Sequence, residues 1–194
     1  MRVILVRHAS TAWSGVRYCG VSDPPLSEAG EAEADRLALE LAPDLSLATR
    51  VVSSASRRAV ATARAIAAAA GLRDVEVDDR WREADVGIAE GRTFDELAAL
   101  APDLASALAD GVLAIDWPDG ETHASLAGRV HAAWADVVAA GRPAVVVTHA
   151  GPFLHARALA ADRPPSTDDL VRPAVAVRLT VTEAPKRPVL PSPA

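Results

Sequence analysis

At 194 residues, with a formal net charge of −6 and a pI near 5.3, the chain suits one medium-sized α/β domain and lacks the basic face of a nucleic-acid-coating protein. A single cysteine, Cys19, excludes an internal disulfide framework. No apolar run approaches the roughly 18 residues of a membrane span, and the four apolar residues before Arg7 are too few for a secretory leader, so a cytoplasmic protein is expected, with neither nucleic acid nor membrane as partner.

In chain order, Val3-Ile4-Leu5-Val6 is a short continuous apolar run, the pattern of a strand covered on both faces. Ser27 can cap a helix along which Ala34, Leu37, Ala38 and Leu41 recur at helical spacing. Arg50-Val51-Val52-Ser53 predicts a second strand, and residues 56–70 an alanine-rich helix stopped by Gly71. Residues 81–91 are polar and carry glycine, so a loop is expected there. Residues 93–100 and 102–110 read as two short helices, the second opened by a proline in a favourable first position. Trp117-Pro118-Asp119-Gly120 is a turn, after which Leu126, Val130, Ala133, Trp134 and Val137 line one helical face up to Gly141.

Ala144-Val145-Val146-Val147-Thr148 is the clearest buried strand; Pro152 suits the first turn of another helix, and residues 174–181 predict a last strand. Alanine supplies much of the apolar content and aromatics amount to 4%, so the core is expected from Val, Leu, Ile and the four Trp. Residues 1–183 then form one domain, followed by a proline-rich tail, 184–194, expected to be disordered. Strands alternating with helices imply a three-layer α/β/α fold with a mainly parallel central sheet.

Ligands in such sheets bind beyond the carboxyl ends of the strands, and three of those ends carry chemistry. Arg7-His8 follows the first strand; Ser53-Ser54, then Arg57 and Arg58, follow the second; His149-Ala150-Gly151 follows Thr148. Parallel strands would gather two histidines and at least two arginines on one crest, where helix N-termini add donors and partial positive charge. A histidine at a strand end is by itself usually structural, and an arginine pair opening a helix is usually a solvated face. Their coincidence at three ends is what indicates an anion site. Arg57 shares a helical face with Arg64, whereas Arg58 lies roughly 100° away with Thr62, Ala65 and Ala69, so Arg58 is the one aimed inward. No Gly-rich phosphate loop, G-x-S-x-G or H-E-x-x-H motif occurs. The arginines repel cations, so neither a metal nor another cofactor is expected.

Leu5-Val6-Arg7-His8-Ala9-Ser10-Thr11 resembles the L-[VI]-R-H-G-x-[TS] signature of the histidine phosphatase superfamily, the phosphoglycerate-mutase-like proteins. Arg17-Tyr18-Cys19-Gly20, then Asp23, Pro25-Leu26-Ser27 and Gly30, resemble that family's substrate loop and first helix start. The segment from Ser53-Ser54 through Arg58-Ala59 to Thr62-Ala63 is similar to its S-S-P-x-x-R-A-x-Q-T-A. Glu83, Gly87 and Glu90-Gly91 resemble its acid loop, and Thr148-His149-Ala150-Gly151 its second histidine segment. The departures are Ala9 for Gly, Ser14 where a phosphate-binding Asn is common, Ala55 for Pro and Ala61 for Gln.

The resemblance implies that His8 attacks phosphorus, that Arg7, Arg58 and His149 hold the phosphoryl oxygens, and that Glu83 protonates the leaving group. Glu83 beside a bound phosphate would have its pKa raised by like charge; its other reading is a loop carboxylate paired with arginine. Thr11 and Ser14 are candidate phosphate donors that could equally cap local backbone. Arg17, Cys19, Gly20 and Ala150 are candidates for the rest of the substrate. Glu121 either lines the site or favours a helix N-terminus. Asp116 and Asp119 read as turn residues, and His123, His131 and His155 as packing or surface. The favoured activity is a phosphomonoesterase acting on a small phosphorylated metabolite. A cofactor-dependent phosphoglycerate-type mutase comes second, because the segment between Gly91 and Trp117 looks short for one. A catalytically silent phosphate-binding module is third. The oligomeric state is open, a homodimer included.

Overall fold

The computed structural model describes residues 1–46 and 49–181. Five strands, β1 (Arg2–Arg7), β2 (Arg50–Ser53), β3 (Glu76–Val77), β4 (Ala144–Thr148) and β5 (Ala176–Thr180), form one sheet in the order β3-β2-β4-β1-β5. The first four neighbours are parallel and β5 lies antiparallel along β1. Helices α1 (Glu28–Leu41), α2 (Arg57–Ala69), α3 (Phe94–Leu100), α4 (Pro102–Ala109), α5 (His123–Ala139) and α6 (Ala150–Ala160) complete the three layers.

Successive side chains of a strand point to opposite faces, and here both faces are covered. Ile4, Val6, Val51, Val145 and Val147 pack with residues of α1 and α2, whereas Val3, Leu5, Val52 and Val146 pack with Trp81 and residues of α5 and α6. Two-sided burial is why β1 and β4 are unbroken apolar runs in sequence. The start of α1 is fixed by Ser27, whose Oγ accepts the Gly30 N–H at 3.1 Å. At Gly30 a Cβ would stand 1.9 Å from the Ser10 carbonyl oxygen, so only glycine lets α1 lie against the loop that follows β1.

Four expectations need correction. β3 has no counterpart in the predicted elements, because its two residues are exposed and offer no apolar run. Within 81–91, Gly87–Ala89 forms a 3-10 turn rather than plain loop. The last strand begins at Ala176 and not at 174: Ala174 has φ of 54°, off the extended conformation, and its N–H donates to the carbonyls of Arg7 and His8. Of the four Trp, only Trp81 and Trp134 belong to the core. The tail, 184–194, lies outside the described residues. Among those described, no helix is long and apolar enough to cross a membrane.

Candidate active site

Because β4 lies between β1 and β2 and all three run parallel, their carboxyl ends meet at one edge. His8 and His149 stand there with ring centroids 4.9 Å apart, nearly edge to face. His8 is 7% exposed; removal from water, reinforced by Arg58 and Arg7, pushes its imidazole down to about 3. The ring is therefore neutral. Its Nδ1 lies 2.7 Å from the Ala9 carbonyl oxygen, so Nδ1 holds the proton and donates it, and the Nε2 lone pair is left free. The Ala9 N–H donates to Thr62 Oγ1, and that hydroxyl donates to the Arg58 carbonyl. The loop that carries His8 is thereby tied to the turn of α2 that carries Arg58.

Arg58 is buried while Arg57 is exposed, as the helical face argument requires. The Arg58 guanidinium donates to the carbonyls of Ser22 at 2.8 Å and Gly20 at 3.3 Å. Those carbonyls are held by Glu90, whose carboxylate accepts the N–H groups of Gly20, Val21 and Ser22 at 3.0 to 3.2 Å. Gly20 is therefore not a wall of the cavity described below: a Cβ on it would stand 2.3 Å from the Ala84 carbonyl. It is a close-packing position rather than a substrate contact. Arg7 donates to the Val171 carbonyl, and its Nε is buried without a partner among the described residues.

His149 is fully buried against His8. Its Nε2 lies 2.8 Å from Ser54 Oγ, which already accepts the Ser56 N–H. Ser56 Oγ lies 3.3 Å from the same nitrogen, so Nε2 is held between two serine hydroxyls. The His149 Nδ1 is buried and unpaired among the described residues. Burial first, then His8 and the arginines, push His149 well below the usual histidine range.

Glu83 accepts the N–H groups of Ala84 at 3.0 Å and Gly151 at 3.1 Å. Its pKa is raised by removal from water, against the pull of those donors and of Arg7 and Arg58. The rise expected from a bound phosphate is thus already present, and burial is its cause. The neighbouring arginines with which a loop carboxylate here could pair are engaged elsewhere, Arg80 with Asp78 and Asp136 and Arg82 with Asp79 and Glu121. The backbone behind the acid is held by Arg129 of α5, which donates to the carbonyls of Arg80, Arg82 and Glu83 and grips Glu121 with two hydrogen bonds of 2.8 and 2.6 Å. Glu121 therefore serves as the counter-ion of Arg129. Two of the N–H groups at these helix N-termini are already taken: Asp23 accepts that of Arg57, and Glu83 accepts that of Gly151.

A cavity of about 390 Å³ opens onto this crest, with Arg7, His8, Arg58 and Glu83 on its polar side. Thr11, Ser14, Arg17, Cys19 and Ala150 also line it. Ser14 Oγ accepts the Thr11 N–H and Thr11 Oγ1 accepts that of Trp13, and the two hydroxyls lie 3.4 Å apart, so both cap local backbone and one donates to the other. Arg17 donates to the Gly91 carbonyl and to Glu96. Burial pushes the Cys19 thiol up to about 11, and it donates to the Ser22 carbonyl. The opposite wall is apolar, with Trp13, Ile115, Trp117 and Leu154. His123 and His155, expected as packing or surface, line it too, their ring centroids 5.0 Å apart.

The sequence matches the histidine phosphatase superfamily (branch 1) over residues 3–187. The chain belongs to this family. Its fold is similar to a mycobacterial glucosyl-3-phosphoglycerate phosphatase in complex with VO3, with a TM-score of 0.81 and 30% identity over 92% of each chain. It is also similar to Bacillus stearothermophilus YhfR, at a TM-score of 0.83 and 25% identity, covering 95% of this chain and 93% of that one. Among curated relatives, the probable phosphoglycerate mutase GpmB of Salmonella arizonae is 39% identical over 136 residues, which cover 70% of this chain and only 62% of the relative. Within the superfamily, then, similarity reaches a protein named a phosphatase and others named mutases. Glu90 and Arg129 were missed as holders of the site because neither follows from strand or helix periodicity. Glu90 lies 70 residues from Gly20, and Arg129 lies 46 from Glu83.

Proposed function

We propose that this histidine phosphatase superfamily member hydrolyses a small phosphorylated metabolite through a phosphohistidine on His8. The fixed tautomer of His8 carries the reading: a neutral imidazole, donating from Nδ1 to Ala9, with Nε2 free at a cavity that also holds two arginines. Nε2 attacks phosphorus, the P–O bond to the leaving group breaks, and Glu83 gives its proton to the departing oxygen. Water then attacks phosphorus, the N–P bond breaks with its electron pair returning to Nε2, dihydrogen phosphate leaves, and solvent returns the proton to Glu83. Arg7 and Arg58 supply charged donors to the equatorial oxygens. The unpaired Nε–H of Arg7 and a His149 N–H add further donors to those same oxygens.

The mutase reading has the names of the curated relatives in its favour. A mutase must also hold a second phosphoryl group. Beyond the crest the cavity offers one guanidinium, Arg17, already engaged by Gly91 and Glu96, and a wall whose polar groups, Tyr18, His123 and His155, include no other arginine or lysine. That favours hydrolysis.

The test is hydrolysis of p-nitrophenyl phosphate in EDTA by wild type, His8→Ala and Glu83→Gln. Turnover that persists in EDTA and disappears in His8→Ala is expected, with Glu83→Gln retaining much of it because this leaving group needs little protonation. No turnover, or turnover indifferent to His8, overturns the proposal. Phosphate binding without turnover of any ester would make the chain a binding module.

A further inference from the structure

Phosphoryl transfer makes no use of His123 and His155. Between α5 and α6, Leu126 comes within 3.4 Å of the position a Gly151 Cβ would take. One turn away on each helix, His123 precedes Leu126, His155 follows Gly151, and the two rings meet tilted by 46°. Four residues along α6 place this pair about 6 Å from the Glu83 end of the site.

His155 is 7% exposed, and neither imidazole forms a hydrogen bond with the described residues. Both rings line the cavity, where their nitrogens are open to partners from water or ligand. The nearby lining side chains Ile115, Trp117, Leu126 and Leu154 offer no suitable acceptor. Asp116, the acid near the start of α5, is committed to the backbone N–H of His123 at 2.7 Å. Burial, then the neighbouring His123 and Arg129, push His155 down to about 4, so its ring is neutral. A neutral imidazole presents one N–H and one lone pair. A hydroxyl between the two rings can accept an N–H from one and donate to a lone pair of the other, whereas a carboxylate only accepts and a bare hydrocarbon does neither.

The geometry points to a second subsite, formed by His123 and His155, that takes a hydroxyl on an otherwise apolar leaving group. This rests on the phosphatase reading for which end of the ligand carries phosphorus. The substrate class is then a monophosphorylated aryl or alkyl diol whose free hydroxyl lies about one helical turn from the phosphoryl group.

Binding tests it without turnover. Phenylphosphonate and 3-(hydroxymethyl)phenylphosphonate, whose P–C bonds resist hydrolysis, are titrated against the fluorescence of the cavity residues Trp13 and Trp117. Wild type should bind the hydroxymethyl compound about fivefold more tightly, the worth of a neutral hydrogen bond. The ratio should fall to near one in His155→Leu and in His123→Leu, and recover in part in His155→Gln. Should His155→Leu fail to fold, His123→Leu, at a half-buried helix start, carries the comparison. Equal affinity of wild type for both compounds, or a ratio unchanged in the leucine variants, overturns the subsite. Failure of the phosphatase reading shows separately, as bound phosphonates without turnover of phenyl phosphate.

Discussion

The Gly151 N–H meets the Glu83 carboxylate at 3.1 Å, and a Cβ on Gly151 would stand 2.6 Å from Glu83 Oε1. The first turn of α6 therefore holds the Glu83 carboxylate at an approach that only glycine permits. Gly151→Ala should displace Glu83 while the fold survives. For an alkyl phosphate, whose leaving group needs its proton, kcat should fall about 100-fold. p-Nitrophenyl phosphate should be spared. Equal losses on both substrates would show that Gly151 serves something other than the acid.

Glu90 reaches Arg58 through the carbonyls of Gly20 and Ser22, having accepted three N–H groups of that loop. Glu90→Gln replaces one acceptor oxygen by an amino group that faces those donors. Arg58 then loses its fixed position, and inorganic phosphate should bind about tenfold more weakly, a loss typical of a weakened charged hydrogen bond. Phosphate inhibition constants measure it, and unchanged inhibition would refute the linkage.

Arg129 and Glu121 are 10% and 7% exposed as side chains and form a two-bonded pair at 2.6 Å. Arg129→Met leaves Glu121 buried without its partner and should cost about 3 kcal/mol in urea unfolding. Adding Glu121→Leu should restore part of that stability, because no lone charge then stays buried. A double variant no better than the single one would assign the loss to the carbonyls of Arg80, Arg82 and Glu83 instead.

Stability should depend on pH through the histidines. His8 is pushed down to about 3, His155 to about 4, and His149 well below its usual range. Unfolded, each takes a proton near pH 6.5. Below that the unfolded chain binds more protons, so their contribution is complete above about pH 6.5 and is lost as the pH falls, by at most about 1.4 kcal/mol per unit for each. Glu83, raised by burial, has the opposite sign and offsets part of the loss. Urea midpoints should be lower at pH 5 than at pH 7, and His155→Leu should narrow the gap. A midpoint indifferent to pH over this window would contradict the buried neutral rings.

Activity should follow the same groups differently. His8 stays neutral down to about pH 3, so its protonation sets no limb near neutrality. The alkaline limb for alkyl phosphates belongs to Glu83, whose proton is needed for departure of the alkoxide. That limb should be absent when wild type hydrolyses p-nitrophenyl phosphate, which needs no such proton, and its persistence there would point to another acid.

What the chain determined locally was legible from its residues alone. Apolar runs marked β1, β2 and β4, Ser27 marked the start of α1, and the 3.6-residue period separated buried Arg58 from exposed Arg57. Parallel order then placed Arg7, His8, Arg58 and His149 at one edge. These features depend on neighbours within a turn or a strand, or on the rule that parallel strands share an end. Tertiary structure alone decided that Gly20 packs under Ala84, that Glu90 and Arg129 hold the site from afar, and that Trp13, Trp117, His123 and His155 face the cavity. Each of those outcomes depends on which distant segment packs alongside, and no period or local motif in the sequence encodes that choice.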